Sequence, residues 1–111
     1  TECVKFAEEQ AKKFGVRAPM VGHLGDGNFH VVLPFDPAKK EMYKQIRAFN
    51  DSLIKKALEL NGTISGEHGV GLHKKEYLLE EHPDNIPVMK SIKRTIDPNN
   101  IMNPGKIFDL N

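Results

Sequence analysis

The chain has 111 residues, 39% apolar and 28% charged, and its 16 Lys and Arg against 15 Asp and Glu leave a formal net charge of +1. This is the composition of one globular domain, and it makes no electrostatic case for a nucleic-acid or anionic-membrane partner. The single cysteine, Cys3, excludes an internal disulfide and any cysteine-based metal cluster. No apolar run approaches the roughly 20 residues needed to cross a bilayer. The charged opening stretch TECVKFAEEQ does not read as a signal peptide, so a cytoplasmic protein is expected.

Residues Thr1 to Phe14 place Val4, Ala7, Ala11 and Phe14 at three- and four-residue intervals, the apolar stripe of an amphipathic helix that Gly15 ends. Met20 to Phe35 leans to β structure and is interrupted by Gly25-Asp26-Gly27-Asn28, which predicts a hairpin reversing over those four residues. Asp36 as N-cap and Pro37 at the first helical position predict the start of the longest helix. Met42, Ile46, Phe49, Leu53, Ala57 and Leu60 form its inner stripe, and Asn61-Gly62 ends it.

Thr63 to Gly71 holds three glycines and predicts a short strand or loop. His73 to Glu81 predicts a helix stopped by Pro83. Pro87 to Ile96 predicts another, with Val88, Met89, Ile92 and Ile96 turned inward and Asp97-Pro98 as its stop. Ile101 to Asn111 reads as an irregular tail. The order of elements predicts an α+β domain in which helices cover a small antiparallel sheet. The start at Thr1 and the ending NPGKIFDLN give the expectation that the chain is the C-terminal piece of a longer protein.

Two segments carry candidate chemistry: GHLGDGNFH, from Gly22 to His30, and GEHGVG, from Gly66 to Gly71. Reversal over Gly25 to Asn28 pairs Leu24 with Phe29 and sets His23 directly across from His30, on one face and about 5 Å apart at Cβ. Two imidazoles so placed can share one metal ion at about 2.1 Å. Glu67 is the natural third ligand, and two histidines with one carboxylate leave an open coordination position for zinc, manganese or iron. His68 would face elsewhere in an extended backbone and is available as an acid or base near neutral pH. Spacing alone leaves the plainer alternative open, in which paired surface histidines and turn glycines have no metal. His73, His82, Lys74 and Lys75 read as surface residues, Asp26 as a turn residue and Cys3 as a small buried or half-buried filler.

GHLGDGNFH, GEHGVG followed by Lys74, and IDPNNIMNPGKIF together resemble the C-terminal cap region of the FAD-linked oxidases, the flavin-dependent D-2-hydroxy acid dehydrogenases. The resemblance runs from about Val21 to the end, with three separated motifs in the family's order. It implies a ferredoxin-like α/β plait, part of which this chain supplies, and metal ligation by His23, His30 and Glu67. It also implies His68 as the catalytic base, with Asn28 and Asn103 close to the flavin or substrate. Family members that take long dicarboxylates can carry a polar residue two places beyond the second motif histidine. Val32 stands there and favours a smaller acid of the D-lactate or glycolate type.

The implied cofactors are FAD and a divalent metal. The metal would lower the pKa of the substrate hydroxyl, and His68 would take its proton as C2 passes hydride to the flavin. The FAD-binding domain of the family has no counterpart in these residues, and no GxGxxG loop opens a helix. The chain alone is therefore expected neither to retain FAD nor to turn over substrate, and its partner is the FAD-binding domain of the same protein. The alternatives are a stand-alone metal-binding or interaction module, a non-haem iron oxygenase and the ether-lipid synthase branch of the same superfamily. The iron oxygenase usually sits on an all-β barrel, and the synthase branch is not expected to carry the two histidine motifs.

Overall fold

In the computed structural model, which describes residues 2–110, the chain divides into two units, residues 1–66 and residues 67–111. Thr1 and Asn111, the outermost residues of the predicted first helix and tail, lie outside the described residues.

The first unit is built from helix α1 (Glu2–Phe14), strands β1 (Met20–His23) and β2 (Asn28–Val31), and helix α2 (Lys40–Glu59). Its core is apolar. Ala7 and Phe49 are fully buried, and Ile54 and Ile64 nearly so. The stripe predicted for α1 is the one that turns inward, with Ala7 buried and Val4, Ala11 and Phe14 half-buried. α1 packs against α2, the most extensive contact between elements among the described residues. Cys3 is half-buried, and that burial raises its thiol pKa.

The start of α2 differs from expectation. Asp36 and Pro37 form a turn ahead of the helix: the Asp36 carboxylate accepts the Ala38 N–H at 3.0 Å, and the Lys39 N–H reaches the Asp36 carbonyl at 2.9 Å. An Asp-Pro pair serves a local Asx-type turn as readily as a helix cap, and here the turn wins. The helix ends as read from the sequence. Asn61 takes a left-handed φ of 57°, and the Gly62 N–H closes on the Ala57 carbonyl at 2.8 Å.

The second unit contains helices α3 (Lys75–Glu81) and α4 (Ile86–Ile96) and the irregular tail. Residues 63–71 contain bends and no strand, and α3 begins two residues later than predicted. α4 turns a different stripe inward from the one expected. Of the four residues expected inward, Met89 is half-buried as expected but Val88, Ile92 and Ile96 are exposed, whereas Ile86 and Asp97 are buried and Lys93 half-buried. The inner positions 86, 89, 93 and 97 are helically spaced, so the face ends in an ion pair in place of apolar side chains.

That ion pair organises the tail. Asp97 receives the Lys93 ammonium and accepts the Ile101 and Met102 N–H groups at 3.0 and 2.9 Å. Lys93 also donates to the Met102 carbonyl, and Arg94 to that of Leu110. Lys75 holds both oxygens of Asp109 at 2.8 Å, and the Ile107 N–H reaches the Gly71 carbonyl at 2.8 Å. The whole is an α+β fold of four helices and one two-stranded antiparallel sheet among the described residues. None of these helices is long and apolar enough to cross a membrane.

Candidate metal centre

The hairpin register places the two histidines. Met20 pairs with Val31, Val21 with His30, Gly22 with Phe29 and His23 with Asn28. The expected direct opposition of His23 and His30 is therefore not what forms. The reversal occupies Leu24 to Gly27, one residue earlier than predicted, as a short 3₁₀ turn over Leu24–Asp26. Gly27 closes it in the left-handed region at φ 75°, its N–H on the Leu24 carbonyl at 3.2 Å. Asn28 consequently enters the strand rather than the turn.

The displaced register keeps the histidines on one face. Asn28 is across from His23, and residues 28 and 30 share a side, so His23 and His30 become diagonal neighbours. Their rings meet edge to face with centroids 6.4 Å apart, and a ring nitrogen of each lies within 4.8 Å of one on the other. Two nitrogens at about 2.1 Å from a tetrahedral ion are about 3.4 Å apart, a distance within side-chain rotation of the one seen. The donor set therefore fits a divalent metal: two imidazole nitrogens, half-buried at His30 and exposed at His23.

Gly22 allows the two strands to come this close. A Cβ there would lie 2.5 Å from the Phe29 Cα and 2.8 Å from the Asn28 carbonyl oxygen. A side chain at this position would force the strands apart, and a lone glycine inside a β pattern is the sequence signal for such an approach.

The second motif follows from residue 66. Gly66 abuts the Asn28 side chain, and one peptide bond on, Glu67 opens the second unit. The backbone bends over residues 66–68 and is not extended as expected, which brings the side chains of successive residues together. His68 Nε2 lies 3.8 Å from Glu67 Oε1, and both side chains are substantially exposed. Lys74, expected to be solvated, is half-buried, and desolvation lowers its ammonium pKa. Asn103 lies in the second unit, exposed on a turn with a φ of 48° and its carbonyl 3.3 Å from the Lys106 N–H. His73 is exposed, and His82 sits at the end of α3 with Nε2 3.4 Å from Glu81.

The structure thus sets a hairpin presenting two imidazoles ahead of a glycine-flanked Glu-His pair on an α+β fold. The chain belongs to the family of FAD linked oxidases, C-terminal domain, which matches residues 1–107. Among curated relatives it is 44% identical over 96 residues to the probable mitochondrial D-lactate dehydrogenase of Danio rerio, covering 86% of this chain and 19% of that protein. It is 38% identical over 108 residues to the mitochondrial D-lactate dehydrogenase [cytochrome] of Arabidopsis thaliana, covering 96% of this chain and 19% of that protein. It is 40% identical over 106 residues to the glycolate oxidase subunit GlcD of Bacillus subtilis, covering 95% of this chain and 23% of that protein. The chain thus spans about a fifth of the length of these relatives.

Proposed function

We propose that this chain is the metal- and substrate-handling part of a flavin-dependent dehydrogenase that oxidises a small D-2-hydroxy acid, of the D-lactate or glycolate type, to the 2-oxo acid. One observation carries the reading: the hairpin brings a ring nitrogen of His23 and one of His30 within 4.8 Å on a single face. Membership of the FAD-linked oxidase family and the names of the relatives support the redox assignment.

In this reading His23, His30 and Glu67 hold a divalent metal, zinc, manganese or iron, and leave a position open to substrate. Such a metal supplies Lewis-acid polarisation of the substrate hydroxyl, and FAD, held mainly by the rest of the polypeptide, supplies the two-electron acceptor. The residues of this chain handle the proton and the orientation. The imidazole of His68 accepts the hydroxyl proton at a ring nitrogen while the C2 hydrogen leaves as hydride. The C–O bond becomes a carbonyl, and one proton and one hydride account for both hydrogens lost. Asn28 and Asn103 offer carboxamides to substrate or flavin. Val32, 50% exposed, puts no polar group at the place where a second carboxylate would need one.

Titration of the chain with zinc and manganese by calorimetry tests the site. Stoichiometric binding that disappears in the His23→Ala, His30→Ala double variant is expected, and unchanged binding in that variant would remove the hairpin from the site. In the complete polypeptide, His68→Ala is expected to lower kcat on D-lactate by about 10²- to 10⁴-fold with little change in KM. An unaltered kcat would take the base away from His68.

A further inference from the structure

Gly66 differs from the other glycines of its motif. Gly69 and Gly71 have φ values of 73° and 54° with nothing within 4 Å of where a Cβ would stand, so backbone conformation alone explains them. Gly66 has an ordinary φ, which any residue adopts, yet a Cβ there would lie 2.7 Å from Cγ and 3.2 Å from Nδ2 of Asn28 and overlap its Oδ1. A side chain at 66 would have to displace the carboxamide of Asn28 from the place it now occupies. Asn28 in turn is paired with His23 on β2, on the face that also carries His30, and is half-buried.

We infer that Asn28 and Gly66 form a positioning pair: the carboxamide seated on the bare Cα of Gly66 fixes where the chain leaves the histidine face, and so sets the approach of Glu67 as third ligand. This rests on the metal reading above. The physical basis is short-range. Glu67 is one peptide bond from Gly66, so an error of an ångström at Gly66 passes directly to the carboxylate, and metal affinity is sensitive to errors of that size. Residues that orient ligands without touching the ion typically contribute about 10- to 100-fold to its binding.

The test is a double-mutant cycle on this chain, read by zinc calorimetry and by the melting curve of the metal-free protein. Asn28→Ala removes the carboxamide, and Gly66→Ala displaces it without touching the strand. Each is expected to weaken zinc binding about 10- to 100-fold. The double variant should bind no more weakly than the worse single variant, because the methyl at 66 has nothing left to displace. The metal-free melting curves of all variants should superimpose.

Wild-type affinity in both single variants would overturn the inference while leaving the His23–His30 site standing. Fully additive losses in the double variant, or losses matched by equal destabilisation of the metal-free protein, would overturn it too. Absence of zinc binding in the wild type would overturn the metal reading and the inference together. If Asn28→Ala loses the hairpin, the Gly66→Ala arm decides the matter: weakened zinc binding with an unchanged metal-free melting curve supports the inference, and wild-type affinity overturns it.

Discussion

The two units hold themselves together by different means. In the first, α1 and α2 bury Ala7, Phe49 and Ile54 against each other, and the polar groups lie around that seam. In the second, the buried residues are Leu78, Ile86 and the carboxylate of Asp97, and the tail is tied by side chains that donate to or accept from backbone groups. Apolar burial is non-directional, and it forms a seam without specifying the path of a loop. Hydrogen bonds are directional, so a segment without regular structure keeps one path when each of its turns has a defined partner. The hairpin with His23 and His30 belongs to the first kind of unit, and Glu67 and the turn with Asn103 to the second.

The sharpest way to break this contrast is to empty the seam. Phe49→Ala removes the largest fully buried side chain and is expected to cost about 3–5 kcal/mol in urea unfolding of the first unit. A loss below about 1 kcal/mol would show that the seam is not what holds α1 to α2.

Asp97 tests the second unit through pH. The Lys93 hydrogen bond, more than burial opposes it, lowers the carboxyl pKa, with the Met102 and Ile101 N–H groups adding to the effect. A carboxylate with a depressed folded pKa contributes stability that is present above its unfolded value, about 3.9, and is lost as pH falls through the lower folded value. Melting temperature followed from pH 6 downward should therefore fall more steeply in the wild type than in Asp97→Asn. Parallel profiles would deny the clamp its role.

The smallest effect is expected at the Lys75–Asp109 pair. Its two contacts of 2.8 Å are well formed, but the Asp109 side chain is 64% exposed. Lys75→Ala should cost about 0.2–1 kcal/mol by thermal unfolding and less at high salt. A larger, salt-independent loss would mean that this contact belongs with the buried clamp and not with the surface.

Much of the first unit was legible in the residue pattern, because a helix that buries one stripe against another writes a 3.6-residue period into its sequence. The α1 stripe and the Asn61-Gly62 stop of α2 are examples. The stripe of α4 was misread for the same reason. Val88, Ile92 and Ile96 have the better apolar period, yet the inner face runs through Ile86, Met89, Lys93 and Asp97. A lysine and an aspartate four apart look like a solvated surface pair. Only the fold brings the Ile101 and Met102 N–H groups to Asp97 and so allows the pair to be buried.

The candidate site divides along the same line. Residue types and their order along the chain already specify two imidazoles on one hairpin and a Glu-His pair among glycines. The turn moved by one residue and kept its length, so each cross-strand partner shifted by two and both histidines stayed on one face. Register is not local. The 3₁₀ turn ending at Gly27 and the close approach at Gly22 decided that His23 faces Asn28 and meets His30 on the diagonal. The same register put the Asn28 carboxamide over Gly66, a contact between residues 38 apart in sequence that no periodicity records and that only the folded chain can bring about.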